Sequence, residues 1–432
     1  MRRVIGFVRG RYRVLLGNVI ARVAALVALA VATLVVARTG GPAAVGIYAL
    51  LRVLPGLLGA VASSGLPGAI PYFLAGPQRQ HGRLPLTFVA MALGGGAIGV
   101  AIWMAAAPVI GGRLFAGLSL GLLMLAGLMV VTQVILVTAK ACSQGSNDMP
   151  GANRVIFTEQ FMFLPAYGLL WGLGARGYTA VVVAALLADV ATGSLAWGRL
   201  VKKGFFRSAA RPSPRLARAI ALYGLRAQVG GLMSLLNLRL DFILLSLLTG
   251  PAVLGVYAIA SKFAELVKIP TMALTYVLYP KYAREGRAHA AGAARSLLPK
   301  AGLLSVGIVL PLWLATGLVI PGLYGAPFEG AVTPAQIILL GLVVEGVGAV
   351  VSAFLYGSGR PGLNSLAMAA GLVVTVVLDL LLIPRFEAVG AAAASAVAYL
   401  TSTLVLVWFF WRLGRSSASP SWEERPFVEA SP

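Results

Sequence analysis

The residues best able to do chemistry in this chain are charged side chains set inside long apolar runs. From the N-terminus they are Arg22, Arg52, Glu159, Asp189, Arg239, Asp241, Lys262, Glu265, Lys268, Glu345 and Asp379. A charge at the centre of a bilayer costs about 2.5–3.5 kcal/mol on insertion scales, so such a group faces a cavity or a partner. Basic groups around a cavity attract an anion. Phosphate suits them, because guanidinium grips it through paired hydrogen bonds that a low-dielectric wall strengthens. Arg22, Arg52, Lys262, Lys268 and Arg239 form this candidate substrate-binding set. The acids Asp189, Asp241, Glu265, Glu345 and Asp379 are proton or sodium sites, or structural partners. The structural alternative stands beside every one of these residues. Lys262 with Glu265, and Glu265 with Lys268, are three apart and can bridge along one helix face. Arg239 and Asp241 are two apart, point in different directions and need separate partners. Arg226, at the membrane edge, reads as a side chain that snorkels to lipid phosphate. The lone Cys142 excludes an internal disulfide, and His81 and His289 fall in loops, so no spaced set of metal ligands is visible. No cofactor is expected beyond a coupling ion, H+ or Na+.

The elements that carry these charges follow from composition. The 432 residues are 59% hydrophobic and 11% charged, with a mean hydropathy of +0.90. A soluble domain is nearer about 45–50% apolar and 25% charged, so lipid must be the solvent for much of this chain. Long apolar runs broken by Gly, Pro and charge predict twelve spans. They lie near 14–37, 44–66, 86–108, 115–138, 155–174, 178–200, 227–249, 252–280, 298–320, 334–356, 363–384 and 388–411. The first is too long for a signal-peptide core and carries Arg22, so it reads as a retained span.

The net charge of +22 invites a nucleic-acid reading. Its distribution argues otherwise. Nearly all loop Lys and Arg fall in alternate segments: the N-terminus, the second, fourth, sixth, eighth and tenth loops, and the tail. Only Arg38, Arg113, Arg176 and Arg385 fall on the opposite side. This is the positive-inside pattern, which places both termini in the cytoplasm of a multi-pass inner-membrane protein and leaves no single basic face for nucleic acid.

An internal repeat sets the organisation. Gly41-Pro42-Ala43-Ala44-Val45-Gly46-Ile47-Tyr48-Ala49 is echoed by Gly250-Pro251-Ala252-Val253-Leu254-Gly255-Val256-Tyr257-Ala258. Gly145-Ser146, Pro150-Gly151 and Asn153 are echoed, with one gap, by Gly357-Ser358, Pro361-Gly362 and Asn364 at nearly the same spacing. Six spans separate the copies, so the halves point the same way through the membrane, as parallel repeats with a site between them. The expected divisions are an N-terminal six-helix lobe at 1–200, a basic linker with an amphipathic helix at 201–226, a C-terminal six-helix lobe at 227–411 and a cytoplasmic tail at 412–432. Loops are short on both faces, which leaves no soluble catalytic domain and counts against an enzyme.

In these features the chain resembles the multidrug/oligosaccharidyl-lipid/polysaccharide (MOP) exporter superfamily, and within it the Wzx-like polysaccharide flippases. The resemblance is carried by residues 38–48, by Leu240-Asp241-Phe242-Ile243-Leu244-Leu245 leading into 255–262, by Tyr356-Gly357-Ser358-Gly359-Arg360 and by 383–392. It implies an all-α membrane protein of twelve helices in two pseudo-symmetric six-helix bundles, V-shaped, working by alternating access. It implies a substrate, an oligosaccharide on a polyprenyl diphosphate, flipped within the inner membrane for surface polysaccharide synthesis. The related lipid II flippases use membrane arginines in spans 1, 2 and 8; Arg22, Arg52 and Lys262 or Lys268 stand in comparable places, with Lys replacing Arg in span 8. Expected partners are membrane lipid and a polysaccharide polymerase or glycosyltransferases. A cation-coupled multidrug exporter of the same superfamily is the second reading, and it calls for an acid-dominated cavity. A membrane enzyme acting on polyprenyl substrates is the third, and it lacks a paired Asp motif in a cytoplasmic loop.

Overall fold

The computed structural model describes the backbone of residues 2–75, 82–285 and 287–415. Arg79, His81 and most of the expected tail lie outside the described residues, as do the side chains of the N-terminal arginines and Arg226. The described chain is helical throughout: α1 (Arg2–Ala62), α2 (Leu66–Ala75), α3 (Leu84–Leu114), α4 (Leu120–Gly145), α5 (Met149–Phe161), α6 (Phe163–Gly172) and α7 (Gly177–Lys202) come first. Then follow α8 (Pro214–Thr249), α9 (Pro251–Ala264), α10 (Lys268–Arg284), α11 (Arg287–Tyr324), α12 (Val332–Gly341), α13 (Glu345–Gly357) and α14 (Pro361–Arg415). Short 3-10 turns at Glu265–Val267, Ala326–Ala331 and Leu342–Val344 join neighbours.

Among the described residues, seven helical stretches are long and apolar enough to cross a membrane. Two of them are double. The 46 residues Gly17–Ala62 would reach about 70 Å if straight, more than twice the hydrocarbon thickness. The chain breaks at Gly41, with φ 71° and ψ −171°, and α14 breaks likewise at Glu387, with φ 49° and ψ −125°. With α5–α6, α8 and α9–α10 as further passes, twelve apolar segments of crossing length result, as the hydropathy pattern predicts.

Three differences from the sequence reading have physical causes. Expected spans 5, 8 and 10 are each interrupted, at Met162, Glu265–Val267 and Leu342–Val344, where the backbone tightens or turns without a loop. Hydropathy does not register such changes. Residues 67–75, expected as loop, belong to the short apolar helix α2, Leu66–Ala75. The amphipathic helix expected in the linker and the seventh span are one uninterrupted 36-residue helix, α8. Ser213 caps it by accepting from the Leu216 N–H, and Pro214 starts its first turn. No breaker intervenes before Gly250.

The repeat is visible in the backbone. Gly41 and Gly250 share a left-side conformation (φ 92° and ψ 172° at Gly250) that only glycine adopts easily, and each is followed by a proline that opens the next helical segment. At the second repeat, the N–H groups of Ser146, Asn147 and Asp148 donate to the carbonyls of Cys142, Gln144 and Ser143. Those of Ser358, Gly359 and Arg360 donate to Phe354, Tyr356 and Leu355 in the same order. In the first copy the turn is clasped further. Asp148 caps α5 through the Gly151 N–H and takes Arg199 at 2.7 and 2.9 Å and Lys203 at 2.9 Å. Hydrogen bonds from Arg199 above all, with Lys203 and the Gly151 N–H, hold its carboxyl well below the usual carboxylate range against the opposing effect of burial.

The chain divides into two compact units, Met1–Ala258 with Ile320–Gly330, and Ile259–Val319 with Ala331–Pro432. In the first, α2, α3 and α4 close over a core that includes Leu66, Phe73, Phe88, Leu136 and Ile220. In the second, α10, α13 and α14 bury Tyr282, Phe354 and Phe410, and buried backbone or hydroxyl pairs such as Gly346 N–H to Ser305 Oγ, 2.9 Å, tie helices together. Outward faces are apolar, with Val109 77% and Leu318 81% exposed, as lipid contact requires.

Candidate functional site

The first unit contains a cavity of about 500 Å³, a size that suits a small ligand group. Helical spacing places its walls. Arg52, Gly56 and Ala60 recur every fourth residue on α1, and Gln228, Leu232, Leu235 and Arg239 form one stripe of α8. The 63–68 turn adds Ser63, Gly65 and Pro67, and α4 adds Val137 and Lys140. The lining therefore carries three cations, Arg52, Lys140 and Arg239, and no carboxylate. Gln228 donates to the Ala60 carbonyl. Its own buried Oε1 has no hydrogen-bond partner among the described residues, which leaves an acceptor at the wall.

Behind Arg52 lies a set of acids. Its Nη2 is 3.6 Å from Glu159 Oε1 of α5, with the two side chains about one-fifth exposed. At an effective dielectric near 20 such a pair gains on the order of 4 kcal/mol of Coulomb energy, against which desolvation counts. The fully buried Tyr48 packs nearby, its ring centroid 5.9 Å from the guanidinium carbon. Asp189 of α7, buried, accepts from Thr132 Oγ1 at 3.0 Å and from Gln133 Nε2 at 2.9 Å, within electrostatic range of Arg52 and Glu159. A side cavity of about 70 Å³, sharing Gly56, Ala60, Ser63 and Pro67 with the main one, reaches Gln133.

Arg239 and Asp241 point apart, as their spacing requires. The Arg239 guanidinium sits 5.0 Å from the Phe242 ring centre and lines the cavity. Asp241 is buried and accepts from the Tyr257 hydroxyl at 2.6 Å and the Phe242 N–H at 2.9 Å. Tyr257 is the repeat partner of Tyr48, and both are 1% exposed.

Close helix contacts flank the cavity. Toward the Gly41 end, a Cβ on Gly46 would stand 1.8 Å from the Pro251 carbonyl oxygen, and one on Gly255 would stand 1.8 Å from that of Pro42. The two copies of the repeat thus cross each other reciprocally, backbone against backbone. Ser246 Oγ donates to the Leu114 carbonyl at 2.8 Å. Arg38 ties the end of α11 here by donating to the Leu323 and Gly322 carbonyls at 2.6 and 2.7 Å. Toward the other end, Gly65 and Gly224 meet with no room for a Cβ on either.

The other expected site residues lie elsewhere. Arg22 is exposed, donates to Asn18 Oδ1 at 2.9 Å and is not among the lining residues. In the second unit, Lys268 Nζ donates to the Tyr399 hydroxyl at 3.2 Å and sits 4.3 Å from its ring centre, with Glu265 and Glu345 in electrostatic range. Lys262 is half-buried and Asp379 fully buried. Lys140 falls in the fourth loop of the spans predicted from sequence, and Gln228 is not among the site residues predicted there. The helical run unbroken to Gly145 was the available signal for Lys140, and Gln228, four residues before Leu232 on an apolar stripe, was the signal on α8.

Comparison with known proteins adds the following. Residues 7–284 match the polysaccharide biosynthesis protein family. The chain is 25% identical over 226 residues to an uncharacterized membrane protein, MJ1068, of Methanocaldococcus jannaschii, covering 50% of this chain and 45% of that one. It is 22% identical over 216 residues to a protein of Haloferax volcanii named as the probable low-salt glycan biosynthesis flippase Agl15, covering 49% and 45%. The matched stretch thus spans about half of this chain and under half of either relative. Among solved structures, the lipid II flippase MurJ in an inward closed conformation superposes with a TM-score of 0.72 at 13% identity, over 93% of this chain and 90% of that one. An inward-facing multidrug resistance MATE family transporter of the MOP superfamily gives 0.66 at 16% identity, over 93% and 100%. A MOP superfamily transporter from Pyrococcus furiosus, described by the reverse polarity of its binding pocket, gives 0.62 at 15%, over 93% and 95%. At these identities the likeness establishes the fold, which is that of the MOP superfamily.

Proposed function

The chain belongs to the polysaccharide biosynthesis protein family, and from that premise we propose that it flips an oligosaccharide linked to a polyprenyl diphosphate across the inner, cytoplasmic membrane by alternating access. The observation that carries the reading is the cavity whose charged lining is Arg52, Lys140 and Arg239 and contains no acid. A diphosphate brings two fixed negative charges, which guanidinium groups in a low-dielectric wall bind strongly. Ser63 and the Gln228 Oε1 offer hydrogen bonds to sugar hydroxyls. The lipid tail stays in the bilayer beside the apolar outer faces. A cationic drug would meet a positive wall here, which weighs against the multidrug-exporter reading.

The test is genetic. In a host that depends on this protein for surface glycan, Arg52→Ala combined with Arg239→Ala removes two of the three lining cations and is expected to abolish surface glycan, with lipid-linked precursor accumulating inside. Full glycan display by the double variant at wild-type expression would sink the proposal.

A further inference from the structure

Arg52 has two faces. One lines the cavity, and the other meets Glu159, which is not among the lining residues. The quality of that pair is informative. Elsewhere in the same unit Arg199 holds Asp148 with two short hydrogen bonds of 2.7 and 2.9 Å. Arg52 and Glu159 approach only to 3.6 Å, beyond the length of a charge-assisted hydrogen bond. Glu159 therefore compensates the charge of Arg52 without saturating its donors. A cation without an internal partner would hold a diphosphate too firmly to let go, and it would be costly to leave bare in an emptied cavity.

We propose that Glu159 is a positioning residue, an internal counter-ion that takes Arg52 when the cavity is empty and yields it when a phosphate group binds. The inference rests on the reading of Arg52 as a phosphate ligand. Partner exchange keeps the guanidinium compensated in both states, so substrate release costs less than breaking an ion pair outright. Loading leaves Glu159 without its cation and close to Asp189, a like-charge contact that favours return of the Arg52 guanidinium and so release of the phosphate group. Glu159 meets Arg52 of α1 and lies in electrostatic range of Asp189 of α7. On α4 the neighbours of Asp189 are the uncharged Thr132 and Gln133.

The experiment measures the affinity and the release rate of a short-chain polyprenyl diphosphate sugar on the purified full-length protein. Glu159→Gln keeps the shape of the side chain and removes the competing charge. It is expected to bind about tenfold more tightly than wild type, to release the ligand more slowly and to flip substrate more slowly because release lags. Glu159→Asp, which withdraws the carboxylate by one methylene but keeps its charge, should fall between the two in both affinity and release rate. Wild-type affinity and release rate in Glu159→Gln, or weaker binding in both variants, would overturn the counter-ion role. Arg52→Ala separates the two claims. If it binds like wild type, the phosphate reading itself fails; if it loses binding while Glu159→Gln behaves as wild type, only the switch fails.

Discussion

The reciprocal crossing of the two repeat copies makes a sharp prediction about Gly46 and Gly255. A methyl group on either residue would lie 1.8 Å from a backbone carbonyl oxygen of the opposite segment. Ordinary contact begins near 3.4 Å, so the helices must part by about 1.5 Å, and because the obstructing atom is backbone, no side chain can swing aside. Overpacking of this kind costs about 1–3 kcal/mol, which lowers the population of the crossed arrangement by a factor of about 5–150. Gly46→Ala and Gly255→Ala push the same two segments apart, so the double variant should cost less than the sum of the singles. The assay uses Gly56→Cys as a reporter in the cavity, where a Cβ meets open space. The native Cys142 is buried and gives little background. A membrane-impermeant thiol reagent should label the reporter several-fold faster in either alanine variant. The control is Gly94→Ala, whose added methyl touches nothing within 4 Å. Labelling rates and thermal stability equal to that control would refute the packing argument.

Three other outcomes follow from particular contacts. Asp148→Asn removes the anion that clasps Arg199 and Lys203, and it should lower thermal stability by about 2 kcal/mol. Because the folded carboxyl sits below its unfolded value near about 3.9, that contribution is present above this pH and fades as pH falls through the lower folded value. The stability gap between wild type and variant, measured by thermal unfolding, should close only in strongly acidic buffer. Tyr257→Phe takes one donor from the buried Asp241 and should cost about 1–3 kcal/mol, whereas Tyr223→Phe, exposed at 38%, should be silent in the same unfolding assay. Arg38→Ala frees two carbonyls at the end of α11; at an exposed site this should cost about 1 kcal/mol or less, read as faster hydrogen exchange over 318–324.

What the sequence made legible were features with a local cause. The glycine-proline pairs at 41–42 and 250–251 announced both the helix breaks and the repeat, because φ near +70° to +90° is a glycine conformation wherever it occurs. The twelve apolar segments were legible because lipid demands length and apolarity of each. Helix interruptions at Met162, Glu265 and Leu342 were not, since hydropathy is blind to a local tightening of the turn. The candidate site was legible in part. Arg52 and Arg239 were identified as membrane charges, and the structure places both on one cavity; Lys140, four residues beyond Leu136 on a helix that runs to Gly145, was read as loop. The loose pairing of Arg52 with Glu159, about a hundred residues apart in sequence, is a tertiary contact that no spacing rule reveals.

The central claim is that the Arg52, Lys140 and Arg239 cavity carries a lipid-linked diphosphate across the bilayer. It is tested most directly by reconstituting the full-length protein in liposomes with a fluorescent polyprenyl diphosphate oligosaccharide and following its loss from the outer leaflet's chemically reducible pool. The expected result is protein-dependent flipping that Arg52→Ala with Arg239→Ala reduces to the rate of protein-free vesicles, while Gly94→Ala leaves it intact. Flipping by the double variant at the wild-type rate, or none by the wild-type protein when it is folded and correctly inserted, would contradict it.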